Sequence, residues 1–116
     1  MENFTKFTVC GDDRTELHDK LHLTGAEISV NVLPAGASVP FVHSHKQNEE
    51  IYGICEGEGK AEIDGTIVPL AAGDWLRVSA VAKRRFFAAP DKPLKYICIQ
   101  VKENSLEGYT LTDAIV

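Results

Sequence analysis

Two histidines one residue apart, His43 and His45, open the run HSHKQNEE, which closes on Glu49 and Glu50. Imidazole nitrogen and carboxylate oxygen are donors that hold one divalent transition metal, with Zn, Fe, Mn, Ni and Co all acceptable. On a strand, residues i and i+2 face the same way about 7 Å apart, so both imidazoles point to one side. A strand resuming after Lys46-Gln47-Asn48 puts Glu50, Tyr52 and Ile54 on one face. Glu49, Ile51, Gly53 and Cys55 fall on the other. If the two strands pair as a hairpin, Glu50 comes opposite the histidines. Two imidazoles and one carboxylate then form a facial set with open positions for a substrate or oxygen. The competing reading is a metal-free polar network at a barrel mouth.

The elements that must position these residues are short and alternating. AEISVNVL places Ala26, Ile28, Val30 and Val32 on one face and Glu27, Ser29 and Asn31 on the other. EEIYGICEGEG, GKAEID, TIVPLAAG, WLRVSA, RRFFAA and LKYICIQV follow, separated by turn residues at Pro34-Ala-Gly36, Glu58-Gly59, Asp64-Gly65 and Gly73-Asp74. Such a series predicts an all-β sandwich or barrel. DDRTELHDKLHL reads as a helical turn whose His18 and His22, at i and i+4, are solvated surface residues. On LKYICIQV either Tyr96, Cys98 and Gln100 or Ile97, Ile99 and Val101 face inward, and the sequence leaves that phase open.

Composition narrows the function. With 116 residues, the chain is one domain, 1–116, large enough for its own core. No apolar run approaches the roughly 20 residues that span a bilayer, and no secretory signal is visible in MENFTKFTVCGDD. Cys10, Cys55 and Cys98 form no CxxC and read as reduced thiols of a cytoplasmic protein. The net charge of −5, with Lys83, Arg84 and Arg85 as the one basic cluster, argues against nucleic acid and anionic membrane as partners. A small-molecule ligand and a second copy of the chain are the expected partners.

The run from Gly36 through His43, His45 and Glu50 to Gly57 resembles the first motif of the cupins, of the small single-domain conserved-barrel type. The resemblance extends over about 26–101, through the segment LAAGDWLRVSAVAKRRFFA, which is similar to the second cupin motif. It implies a small antiparallel β-barrel, a double-sheet jelly roll, often dimeric. A metal would be held inside by His43, His45, Glu50 and a second-motif histidine. That histidine is replaced here by Arg84. Ser79, Val81 and Ala88 likewise stand where the second motif has proline, glycine and asparagine.

Arginine stays protonated and has no lone pair for a cation. Two unit charges about 4 Å apart interact by about 4 kcal/mol at an effective dielectric of 20, and a divalent ion doubles that. Three arrangements resolve the repulsion. Arg84 pairs with Glu50 in a metal-free cavity, tilts aside from a three-ligand metal, or grips an anionic substrate beside it. Tyr52 and Tyr96 join Arg84 as candidate substrate-binding residues. The ligand set suits a metal-dependent oxygenase, decarboxylase or isomerase acting on a small oxygen-rich anion. The alternative is a non-catalytic binding or sensing module with a Glu50–Arg84 pair. The apolar outward residues Ile51, Gly53 and Cys55 predict a homodimer that covers this sheet or the N-terminal strand ENFTKFTV.

Overall fold

Alternation makes this chain a strand former, and the computed structural model, which describes residues 3–116, resolves seven strands. They are β1 (Arg14–Glu16), β2 (Glu27–Leu33), β3 (Asn48–Ile63), β4 (Thr66–Ala71), β5 (Trp75–Val78), β6 (Arg84–Ala88) and β7 (Leu94–Lys102). Helix α1 (His18–Leu21) is a single turn. Every strand pair is antiparallel. One sheet runs β1-β2-β7-β3-β5, the other β4-β3-β6, and β3 belongs to both. Between them lies a core that includes Ile54, Ala61, Leu70, Phe86 and Leu94.

The continuity of β3 differs from the expected turn at Glu58-Gly59. Its first part pairs with β7 and its second with β4 and β6, and the register shifts between Ile54 and Glu56. Gly57 has φ +86°, and a Cβ there would overlap the carbonyl of Pro93. A Cβ on Gly59 would overlap the carbonyl of Phe87. These glycines let one strand bend and pass from sheet to sheet at close backbone approach. The Asp64-Gly65 turn forms as expected, with φ of +48° and +84°, the left-handed pair that a two-residue hairpin needs.

The N-terminal region departs further from expectation. DDRTELHDKLHL begins as β1, and only His18–Leu21 is helical. His18 and His22 are exposed, and His18 Nδ1 lies 2.8 Å from Asp19 Oδ1. The expected strand ENFTKFTV, whose Glu2 lies outside the described residues, does not form within one chain: residues 4–10 belong to no strand. Among the described residues no helix is long and apolar enough to cross a membrane.

Candidate functional site

Directly opposed residues in a ladder share a face, so register builds the inner wall. Across β3 and β7, Glu50 faces Gln100, Tyr52 faces Cys98 and Ile54 faces Tyr96. Across β7 and β2, Cys98 faces Ser29 and Tyr96 faces Asn31. Glu50, Tyr52, Tyr96, Cys98, Ser29 and Asn31 are all buried. The inward phase of β7 is therefore Tyr96, Cys98 and Gln100. On β2 the face that turns inward is the polar one, while Ile28, Val30 and Val32 lie half-buried on the other side.

The histidines reach Glu50 by a different route from the expected hairpin. Residues 43–45 do not pair with β3; they run beside β6. Arg84 N donates to His43 O at 2.9 Å, His43 N to Arg84 O at 3.1 Å, and His45 N to Ala80 O at 2.8 Å. The imidazoles thus project from the opposite wall, with ring centres 5.2 Å apart. His45 Nε2 lies 3.2 Å from Glu50 Oε2, and His43 Nε2 lies 3.7 Å from Glu50 Oε1. One ligand atom from each of the three residues lies within 4.8 Å of the others.

Glu50 is bound from several sides. Its Oε1 accepts from Arg84 Nη1 at 2.6 Å and from the Tyr52 hydroxyl; Cys98 Sγ is 3.3 Å from Oε2. Burial pushes the carboxyl up, but the hydrogen bonds from Tyr52, Arg84 and Cys98, with the attraction of His45, outweigh it and hold the pKa below its ordinary value. Glu50 is therefore an anion at neutral pH. Burial lowers the pKa of His43 against the pull of Glu50, helped by repulsion from His45, Arg84 and Arg14. A neutral imidazole keeps a lone pair for a cation.

Arg84 is inside the barrel, with 0% of its surface exposed. Nε donates to Ala82 O at 3.1 Å, and Nη2 lies 2.7, 3.0 and 2.7 Å from the carbonyls of Ser79, Ala80 and Ala82. The turn at 79–83 wraps the guanidinium, whose remaining nitrogen holds Glu50. This arrangement turns the guanidinium toward protein acceptors on each of its nitrogens.

The residues present fit one metal ion. His43 Nδ1 and His45 Nε2 are buried with no hydrogen-bond partner among the described residues. The latter is close to Glu50 but not aligned to bond with it. A buried polar atom without a partner is costly in a native protein, and two imidazoles beside an ionised carboxylate suit a divalent cation. Arg84 and Tyr52 engage Glu50 Oε1, while Oε2 faces His45.

The three residues open onto a cavity of about 620 Å³. One wall is aromatic: Tyr52, Phe86 and Tyr96 have ring centres 4.3 to 5.9 Å apart. Asn31, Gln100, Arg14 and Arg85 also line it. Sequence reasoning missed Asn31 and Arg14. For Asn31 the available signal was the polar face of AEISVNVL, since interior and exterior residues alternate along a barrel strand; Arg14, in the segment that reads as a helical turn, carried no such signal.

A family model described as "Cupin domain" matches residues 29–100. A cupin protein from Bacteroides fragilis is 61% identical, covering 100% of this chain and 98% of that one with a TM-score of 0.97. A predicted oxalate decarboxylase from Thermotoga maritima is 28% identical over 65% of this chain and 64% of its own, with a TM-score of 0.61. A cupin-superfamily sugar phosphate isomerase from Silicibacter pomeroyi is 21% identical over 78% and 60%, with a TM-score of 0.68, a likeness of fold. No curated protein matches the chain.

Proposed function

Because this chain belongs to the cupin family, we propose that His43, His45 and Glu50 hold one divalent transition metal. The cavity beside them receives a small, oxygen-rich anionic organic molecule. The observation that carries this reading is the convergence of three ligand atoms, within 4.8 Å of one another, on that cavity. The ion would supply Lewis-acid polarisation of a ligand oxygen. The chain's own residues do the rest: Tyr52 fixes Glu50, and Tyr96 presents its ring to the bound molecule. Arg84 supports the site by holding and neutralising Glu50. Oxygenation, decarboxylation and isomerisation of a chelating acid are the reactions such a set suits. A Co²⁺ titration tests the ligands: His45→Ala should abolish the visible bands that the parent protein develops, with the fold intact by circular dichroism. Bands of equal strength in both would sink the assignment.

The buried 2.6 Å ion pair of Arg84 and Glu50 favours a second reading. In it, Arg84 stands as the site's cation and the barrel is a metal-free binding or sensing module.

The proposal extends to a homodimer in a cytoplasmic setting. The unpaired cysteines Cys10, Cys55 and Cys98 support the setting. Exposed Phe4, Phe7 and Val9, and an outer groove lined by Val9, Val30, Val32, Cys55 and Ile97, support the dimer.

A further inference from the structure

Arg14 lines the cavity onto which His43, His45 and Glu50 open. It sits on β1 directly opposite Asn31 of β2, and Asn31 sits directly opposite Tyr96 of β7. Arg14 Nη1 donates to Asn31 Oδ1 at 2.7 Å, and Asn31 Nδ2 donates to Ser29 Oγ at 2.9 Å. Asn31 and Ser29 are buried, so a polar chain anchors the guanidinium from within. Its outer side pairs with Glu16, Nε to Oε1 at 3.2 Å, where about half of both side chains is exposed.

This state contrasts with that of Arg84. Among the described residues only Nε and Nη1 of Arg14 have hydrogen-bond partners, while a guanidinium offers five N–H groups in a planar fork. Arg14 therefore keeps donors for a ligand and is open to solvent. The charges agree. The chain carries −5 overall, yet the cavity gathers Arg14 and Arg85 against Asp13 and Glu50, and Glu50 is already paired with Arg84. Arg85 is committed to Val39 O and Ser38 Oγ and lies over the Phe87 ring. Arg14 is thus the cation at this cavity best able to take a carboxylate in bidentate fashion.

We infer that Arg14 is a specificity-determining residue that binds a second anionic group of the ligand. The ligand class is a small organic acid with two anionic ends, one at His43, His45 and Glu50 and one at Arg14. The inference rests on the proposed cavity reading. Glu16 competes for the same guanidinium and is displaced or shared when ligand binds.

Isothermal titration of the full chain tests this with matched pairs: malonate and propionate, succinate and butyrate, glutarate and pentanoate, adipate and hexanoate. At least one dicarboxylate should bind about tenfold more tightly than its partner, the scale of a charge-assisted hydrogen bond. Arg14→Gln should bring that preference to within about twofold, and Glu16→Gln should retain it. His45→Ala should weaken both members of the pair. No preference in the parent protein, or an unchanged one in Arg14→Gln, overturns the role of Arg14 and leaves the His/His/Glu reading standing if His45→Ala still weakens binding. Binding unaffected by His45→Ala overturns that reading and the two-ended ligand with it.

Discussion

Arg84 Nη1 donates to Glu50 Oε1 at 2.6 Å, with 0% and 4% of the two side chains exposed. The pair closes the wall from which the histidines project, because the same arginine exchanges two backbone hydrogen bonds with His43. It therefore fixes both the carboxylate and the strand segment that carries the imidazoles. Removing one member leaves the other charged and buried, which costs about 3 to 5 kcal/mol. Arg84→Met should lose stability of that order in urea, since it also removes the guanidinium donors from the carbonyls of Ser79, Ala80 and Ala82, of which Ser79 and Ala80 keep a backbone donor. Glu50→Gln, which keeps an acceptor for the arginine, should lose less. Equal and small losses would mean that the pair is not buried in solution.

Replacing the arginine should also change ion binding. Arg84→His removes a positive charge whose repulsion of a divalent ion is several kcal/mol at a few ångströms, and offers a nitrogen instead. Zn²⁺ affinity, measured by competition with a chelator, should rise at least about tenfold. Unchanged affinity would place Arg84 too far from the ion to matter.

The residue types of this site are legible in the sequence; the pairing that positions them is not. The grouping of His43, His45 and Glu50 follows from residue type and from the resemblance of its spacing to a known motif, and the structure brings those residues together. The route did not follow: a hairpin was expected, whereas residues 43–45 run along β6 and meet Glu50 across the barrel. Gly59 reads as a turn residue with Glu58, because a turn and a close backbone approach both select glycine. Arg14 escapes notice because its segment reads as a helical turn whereas it forms β1, and Asn31 because an alternating strand does not say which face turns inward. Only pairing with β7 settles that.

The bend in β3 depends on two glycines. Gly57→Ala and Gly59→Val each force a side chain into a backbone carbonyl, so both should lower stability by about 3 kcal/mol or more. Loss of less than about 1 kcal/mol in chemical denaturation would show that β3 does not cross between the sheets at this point.

Tyr96 sets an alkaline limit. Burial, with repulsion from Cys98 and Glu50, pushes its hydroxyl up to about 12 from the ordinary 10.0. The unfolded phenol ionises first, so the unfolded state binds fewer protons between these values. The stability this group contributes is complete below pH 10 and is lost as pH rises through 12, about 2 to 3 kcal/mol in all. Tyr96→Phe should flatten the fall in urea midpoint over that window. An identical fall in the variant would place Tyr96 in water.

Association can be checked separately. Sedimentation at micromolar concentration should give twice the chain mass, and Phe7→Asp should shift the protein toward monomer. A monomeric parent protein would contradict the proposed dimer.

The central claim is that HSHKQNEE is a metal ligand set. Elemental analysis by mass spectrometry, on protein purified without a histidine tag or chelator, tests it most directly. Near one equivalent of a transition metal, lost in His43→Ala/His45→Ala, is the expected result. No metal in the parent protein, even after each candidate ion is added back, would overturn that assignment and leave Arg84 as the partner of Glu50.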